Sequence, residues 1–540
     1  MRHGIRTLSS TTSLQFSQRS ATAAPRRIGP RELTHRFGRT SAARKLVTDL
    51  VGSCQLHHCD EMPVASVVAV NRPLSAGQLA IYREGIDDAD AVVAEALAQG
   101  ASGILTERLL AAPLPQCVVP DAENAAAMIE RYRTARPETR TLTIGIVGDG
   151  GKTTTTLMVA KLLRDSGLKT AYRTNLGWCD GGNQTVPDEA PVGGRSLVHF
   201  LNDAAEGGCQ VSVLEINADA ACDGRYECCE FDLLIVTSPP PRSTTGGGGD
   251  DRGGFRRQEM ALAAVASRLA GDGVVIHAVS DTVTTDCVEA IEAASVTYGD
   301  VGADVQIDTL DDGGGLATFV LAGTEGSAVL QTAMTGGENA MNLAAAASVG
   351  LLLDQPIHDI AESLGSLRSV PGNDERVCRG GHAAVITDGS VTADGLRRHL
   401  RRLEDDPSCR RAWLVVDVTA VDADALPVLG GVAERLGRRV ILTGGESTKS
   451  MFLTNAHRWL DGVRRAADCR LIADPGAAVR WAVEHAGSDD AVLYLPGRPS
   501  GTCRRSRQAI RQRRRWVDAA VEYAAGDEPD AASLKLFRPE

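Results

Sequence analysis

Residues 144–156 read Ile-Gly-Ile-Val-Gly-Asp-Gly-Gly-Lys-Thr-Thr-Thr-Thr, and this stretch decides the fold. An apolar run, Leu142 to Val147, leads into Gly148-Asp149-Gly150-Gly151-Lys152-Thr153. An apolar-periodic segment follows, with Leu157, Met158, Val159, Leu162 and Leu163. The order is strand, glycine loop, helix. Glycines let backbone N–H groups turn inward around phosphates, and a helix N-terminus adds partial positive charge. Lys152 is placed to reach the β- and γ-phosphates, and the Thr153 hydroxyl to bind Mg²⁺. The long phosphate-loop pattern asks for glycine where Ile146 stands, so the match is to the shorter G-x-x-G-K-T form. Nucleotide binding, with ATP and Mg²⁺ as the expected ligands, is the starting point.

Working outward, 540 residues suffice for three or four ordinary domains. A net charge of -12 and only 4% aromatic residues argue against a nucleic-acid partner. No apolar run reaches the length of a membrane span. The thirteen cysteines are scattered, with no C-x-x-C pair. Cys54 and Cys59 flank His57 and His58, but that spacing fits no zinc pattern. Cys222, Cys228 and Cys229 are expected as small core residues. Free thiols suit a reducing compartment, so the chain is expected in the cytoplasm, as a monomer. Residues 1–45 are rich in Arg, Ser and Thr with one acidic residue, Glu32, and are expected to be a disordered basic extension.

Beyond residue 45, a short strand over Val64–Val70, a helix over Asp88–Gln99, and strands at Gly103–Leu105 and Cys117–Val119 make a small α/β unit. After the phosphate loop come Thr170–Tyr172 and a polar, glycine-rich loop. The apolar runs Val211–Ile216 and Asp232–Thr237 follow, the pattern of buried parallel strands. Glu215, near the end of the first run, faces the crevice where such sheets bind ligands. Gly246–Gly254 reads as a flexible loop, Glu259–Leu269 as a helix, Gly273–Ala278 as a strand and Leu343–Leu353 as an alanine-rich helix. A third α/β region has strands at Ala383–Ile386, Trp413–Val416, Val440–Thr443 and Ala491–Leu495. The arginine run 504–515 reads as the solvated face of a helix whose Ile510, Trp516 and Val517 pack inward. The fold class is α/β with three domains. A central phosphate-loop ATPase domain with a parallel sheet is flanked by a small N-terminal α/β domain and a C-terminal Rossmann-like domain. The boundaries are 46–138, 139–369 and 370–540.

In this order the pieces resemble the Mur ligase family, most nearly the type that adds the third residue to a UDP-N-acetylmuramoyl dipeptide. Asn71-Arg72-Pro73-Leu74-Ser75-Ala76-Gly77 is similar to the family's D-S-R-x-V-x-x-G, and Ala96–Leu105 to A-x-x-x-G-A-x-x-I-L. Gly148–Thr155 stands where the family has G-T-N-G-K-T-T-T. Thr174-Asn175-Leu176-Gly177 resembles its T-x-G turn, and Leu214-Glu215-Ile216 its metal-binding M-E-V. Gly336–Asn342 resembles G-x-F-N-x-x-N, and Asp388–Asp394 stands at D-Y-A-H-T-P-D. The resemblance implies ATP-driven amide formation. A substrate carboxylate becomes an acyl phosphate, and an amino acid's amine displaces phosphate on a UDP-muramoyl-peptide-like acceptor held on the N-terminal side. It implies catalytic roles for Lys152 and Glu215. Nucleotide contacts are implied at Gly148, Asp149, Gly150, Gly151, Lys152, Thr153, Thr154, Asn339, Asn342 and Asp388, and metal binding at Thr153 and Glu215.

The departures fall in the second half of the implied site. The family's carbamylated lysine has no counterpart, because no lysine stands between Lys169 and Lys449. The histidine of D-Y-A-H-T-P-D is Val391, and D-N-P-R is replaced near Gly444-Gly445-Glu446-Ser447. The N-L-S-x-D-H histidine is lost in Ser238–Ser243, the arginine after V-P-G is Asn373, and G-K-G-H-E reads Pro496-Gly497-Arg498-Pro499-Ser500-Gly501. Two alternatives therefore stand beside the ligase. One is a catalytically degenerate ATP-binding paralogue with a regulatory or partner role. The other is a phosphate-loop ATPase without a ligase step.

Overall fold

The computed structural model describes residues 46–69, 73–148, 150–182, 184–185, 194–237, 251–312, 316–324, 326–367, 370, 375–377, 383–389, 393–405, 409–421, 423–435, 439–445, 448–464, 469–497 and 503–524. The basic extension, Asn71, Arg72, Asp149, 238–250, Asn373, 390–392 and 498–501 lie outside the described residues.

The first sheet is built from β1 (Gln55–His57), β2 (Val67–Ala69), β3 (Leu79–Tyr82), β4 (Gly103–Thr106) and β5 (Gln116–Val118), in the order β1-β5-β4-β3-β2. Helix α1 (Ala89–Ala98) begins at Asp88, whose carboxylate accepts the Ala91 N–H, and α2 (Ala122–Arg133) begins at Asp121 in the same way. Such caps satisfy backbone donors that the first helical turn leaves open. Helix α2 ties this unit to the next through charge. Arg225 pairs with Asp121 at 2.9 Å, Arg131 with Glu230 at 3.1 Å, and Arg195 donates to the Val67 carbonyl at 3.2 Å.

The central sheet begins with β6 (Leu142–Gly148) and α3 (Lys152–Asp165), then β7 (Thr170–Thr174), β8 (Gly177–Cys179) and β9 (Gln184–Thr185). Next come α4 (Gly194–Glu206), β10 (Val211–Glu215), α5 (Ala218–Cys222), β11 (Phe231–Thr237), α6 (Asp251–Ala266) and β12 (Leu269–Ala278). The chain continues through α7 (Thr282–Ala290), β13 (Ala294–Gly299), β14 (Val305–Asp311), β15 (Ala317–Gly323), β16 (Gly326–Thr332), α8 (Gly337–Leu352) and α9 (Ile357–Gly365). The strand order is β16-β15-β14-β13-β12-β11-β6-β10-β7-β8-β9, parallel from β7 to β14 and antiparallel at both margins. Strand β6 is buried along its whole length. One apolar core, with α3 and α8, covers one face of the sheet, and a second, with α4 and α6, covers the other. Two-sided burial is why these strands read as continuous apolar runs rather than alternating ones.

The third sheet comprises β17 (Glu375–Val377), β18 (Ala384–Thr387), β19 (Arg411–Asp417), β20 (Arg439–Thr443), β21 (Cys469–Leu471) and β22 (Asp490–Leu495). Its order is β17-β18-β22-β19-β20-β21, parallel except at β17. Helices α10 (Ala393–Asp405), α11 (Leu426–Arg435) and α12 (Lys449–Asp461) pack on one face, and α13 (Pro475–His485) and α14 (Cys503–Ala524) on the other. In α14, Val517, Ala520 and Val521 are buried, while Arg514 pairs with Glu375 and Asp518.

Several local expectations need correction. Leu269 is not helical: α6 ends at Ala266, and Leu269 already pairs with Phe231 across the sheet. Asp251–Gly254 lies in the first turn of α6 rather than in the glycine-rich loop. The alanine-rich helix begins at Gly337, almost two turns before Leu343, with Gly336 at its N-cap and Ala340 of the added segment buried. The polar loop after β7 contains β8 and β9. Cys228 and Cys229 are core residues, and burial pushes the Cys228 thiol up to about 12, but Cys222 is exposed.

Two stability predictions follow from the central sheet. A Cβ on Gly145 would lie 2.8 Å from side-chain atoms of Ile216, Leu234 and Phe231. Gly145→Val should therefore destabilise the protein by about 1–3 kcal/mol, read as a lower urea midpoint. His277 on β12 is buried, and burial lowers its imidazole pKa from the ordinary 6.5. The unfolded imidazole takes up its proton first as pH falls, so this contribution is complete above about pH 6.5 and is lost below it. His277→Asn should flatten the fall in melting temperature between about pH 7.5 and pH 5.

Candidate functional site

The carboxyl ends of β6, β7, β10 and β11 meet at one edge of the central sheet. Register brings the groups together. Glu215 pairs with Ile146, and Thr237 with Gly148. Gly148 has φ +140°, and a Cβ there would collide with the Thr237 carbonyl and hydroxyl. Gly151, at φ +74°, caps α3, and a Cβ there would collide with Asn342 Oδ1. Both positions therefore demand glycine for backbone and for space. The Lys152 ammonium folds back onto the Gly148 carbonyl at 2.5 Å. That carbonyl holds the charge over the loop.

Glu215 is 9% exposed and its carboxylate is hydrogen-bonded on both oxygens. Thr153 Oγ1 lies 2.9 Å from Oε1 and 3.0 Å from Oε2. The Asn175 backbone N–H donates to Oε2 at 3.0 Å, and its side-chain amide to Oε1 at 2.9 Å. A hydroxyl and a carboxylate, both hard oxygen donors at this spacing, suit Mg²⁺. The structure thus brings Thr153 and Glu215 into contact, as the strand–loop–helix reading expects. Asn175 was expected only as part of a turn. Its signal was its place directly after β7, whose end shares the crevice with β10.

The other expected residues are distributed as follows. Thr154 is buried in the first turn of α3, beside the loop, and Gly150 has open space around its Cα. Asn339 and Asn342 both lie in the first two turns of α8. The Asn339 side-chain amide donates to the Thr335 carbonyl at 2.8 Å. Asn342 Oδ1 accepts from Thr155 Oγ1 at 3.2 Å, directly against the phosphate loop. Asp388 stands in the third sheet, one residue beyond β18, with His399 Nε2 of α10 at 3.4 Å from its carboxylate. Sequence comparison located the missing family histidine at Val391; a histidine reaches Asp388 from a helix instead. Only the helical periodicity of Leu396, Leu400 and Leu403 signals that His399 turns toward the strand end.

The third sheet gathers further polar groups at the carboxyl ends of its own strands. Asp417, the last residue of β19, accepts from Thr419 Oγ1 at 2.6 Å and from the Thr419 N–H at 3.0 Å. Burial pushes its carboxyl above the usual range. Arg513 of α14 donates to the carbonyls of Gly497 at 2.7 Å and Pro496 at 3.0 Å.

Comparison with known proteins agrees with this geometry. No family model matches the chain. It is 25% identical over 450 residues to the UDP-N-acetylmuramoyl-L-alanyl-D-glutamate–2,6-diaminopimelate ligase of Geobacillus kaustophilus, covering 81% of this chain and 90% of the relative. The enzyme of the same name from Pseudomonas putida is 25% identical over 427 residues, covering 75% of this chain and 84% of the relative. A solved structure of a ligase of that name superposes with a TM-score of 0.58 at 20% identity, covering 85% of this chain and 95% of its own. The MurF ligase of Thermotoga maritima in complex with ADP gives 0.59 at 16% identity, covering 85% and 98%. The chain has the three-domain α/β fold of these Mur ligases. No helix among the described residues is long and apolar enough to cross a membrane.

If Thr153 and Glu215 share a metal ion, Glu215→Ala should erase the difference between ATP with Mg²⁺ and ATP with EDTA. The readout is the ligand-induced rise in melting temperature. The parent protein should show the larger rise with Mg²⁺.

Proposed function

We propose that this chain, a divergent relative of the Mur ligases, is an ATP-dependent ligase that forms an amide bond on a UDP-N-acetylmuramoyl-peptide-like acceptor. The observation that carries the reading is the Thr153–Glu215 hydrogen bond at the mouth of the glycine loop, with the adjacent Lys152 on the Gly148 carbonyl. The ordered sequence likeness over 81% of the chain supports it. Gly148, Gly150, Gly151 and Thr154 offer backbone donors to the phosphates, Asp149 is the remaining loop position proposed to contact them, and Asn339, Asn342 and Asp388 complete the nucleotide side. Segment 46–138 serves as the acceptor side, ATP binds between 139–369 and the Rossmann-like 370–540, and the reaction belongs in the cytoplasm, where ATP is available.

In this reading Lys152 releases the Gly148 carbonyl and neutralises the transferring phosphoryl group, the term that dominates such reactions. Glu215, held by Asn175, keeps the Thr153 hydroxyl aimed at the crevice. Mg²⁺, when bound there, would supply Lewis-acid charge to the phosphate oxygens. The acceptor carboxylate becomes an acyl phosphate, and the incoming amine displaces phosphate.

A second reading, a nucleotide-binding paralogue with little turnover, is favoured by one observation. No lysine lies between Lys169 and Lys449 to carry the family's second metal-binding group. Loss of charge stabilisation at such a transition state costs about 10²–10³-fold per group.

The deciding experiment measures ADP and amide product by mass spectrometry, with UDP-muramoyl peptides and an amino-acid panel. The ligase reading expects amino-acid-dependent ADP release that Lys152→Ala abolishes. ATP-induced stabilisation of about 2.7 kcal/mol at a hundredfold excess over Kd, without product for any amino acid, would overturn the ligase in favour of the paralogue. Absence of stabilisation would overturn both.

A further inference from the structure

Three thiols that the nucleotide site does not use meet in the first sheet. Strand β1 has 3 residues and lies at the edge, paired antiparallel with β5, so that Leu56 stands opposite Cys117. Residues opposite each other share a face of the sheet, and so do residues two apart along a strand. Cys54 therefore presents its side chain to the face that Cys117 occupies. His58 follows β1 at φ +61°, a left-handed turn, and the chain brings Cys59 back to the same core. Cys54, Leu56 and Cys59 all pack on the apolar cluster that contains Cys117. The Cys54 and Cys117 thiols are hydrogen-bonded to each other.

The two bonded thiols differ in access. Cys117 is 0% exposed, and burial pushes its thiol up to about 12, with Cys54 and Cys59 adding to the rise. Cys54 is half-buried at the sheet edge. Among the described residues no group of three Cys, His, Asp or Glu side chains can hold a metal, so His57 and His58 do not turn this cluster into a zinc site. What the geometry offers instead is a bond between two sulfurs. A thiolate with access to solvent attacks a disulfide, and a neighbouring thiol completes the exchange.

We propose that Cys54 and Cys117 form a thiol–disulfide exchange site that takes a small-molecule disulfide such as oxidised glutathione. The Cys54 thiolate attacks one glutathione sulfur, a new S–S bond forms, and the first glutathione leaves as a thiolate that takes a proton from water. Cys117 then gives up its proton and attacks the Cys54 sulfur, and the second glutathione leaves with the electron pair of the broken bond. Two protein thiols are oxidised to one disulfide while one small disulfide is reduced to two thiols. The product ties the edge strand β1 to β5. The site lies within 46–138 and is independent of the nucleotide-binding reading.

The test uses the full-length protein, reduced and then incubated with excess oxidised glutathione. It is next denatured in an alkylating reagent, digested and mapped by mass spectrometry. The variants are Cys54→Ser, Cys59→Ser and Cys117→Ala. The expected result is a peptide cross-linked through Cys54 and Cys117 in the parent and in Cys59→Ser, and its loss in Cys54→Ser. In Cys117→Ala the exchange stops halfway, and Cys54 gains the mass of one glutathione. A melting curve shows whether Cys117→Ala is folded; where it is not, the comparison of Cys54→Ser with Cys59→Ser decides. A cross-link that joins Cys59 to Cys54 or to Cys117 in place of the expected pair would overturn the proposal. So would a parent in which Cys54 and Cys117 are both recovered alkylated, or a folded Cys117→Ala whose Cys54 carries no glutathione.

Discussion

Strand β6 has no free face, and the site depends on that. Gly145 is closed in by Ile216, Leu234 and Phe231, and Gly148 by Thr237. These contacts pin the register of β6 against both neighbours, so that Ile146 faces Glu215 on one side and Ile235 on the other. In a sheet, a slip of one residue would send every side chain to the opposite face. Glu215 would then leave the crevice, and Thr153 would lose its partner. The apolar packing beneath the loop is therefore what places a carboxylate 2.9 Å from a hydroxyl 62 residues away.

That dependence explains what could be read from sequence. The apolar run Leu142–Val147, the glycine loop and the periodic helix are local patterns, and the structure reproduces them almost residue for residue. Glu215 was legible because parallel strands deliver their carboxyl ends to one edge. The antiparallel strands β14 to β16 were not read. They alternate between buried and exposed positions, with Val329 and Leu310 left on the surface, and give no long apolar run. Contacts made by a helix face, such as Asn342 on Thr155 or His399 on Asp388, leave at most a helical period and no pattern that names the partner. The resemblance supplied the motif around Asn342, but not the group it touches.

The chain keeps the Lys152–Thr153 loop and Glu215 while the sequence departs from the family pattern beyond them. Lys152 and Glu215 sit on elements fixed by two cores, so substitutions elsewhere can accumulate without disturbing them. The third sheet is built on the same plan, with Asp388 and Asp417 at strand ends and Arg513 bonded to the Pro496 and Gly497 carbonyls. A cation committed to two carbonyls is poorly placed to replace a lost metal-binding lysine, because turning away would leave those acceptors unpaired. At these strand ends the described residues place the Asp388–His399 pair and the Asp417 carboxyl, which burial pushes above its usual range.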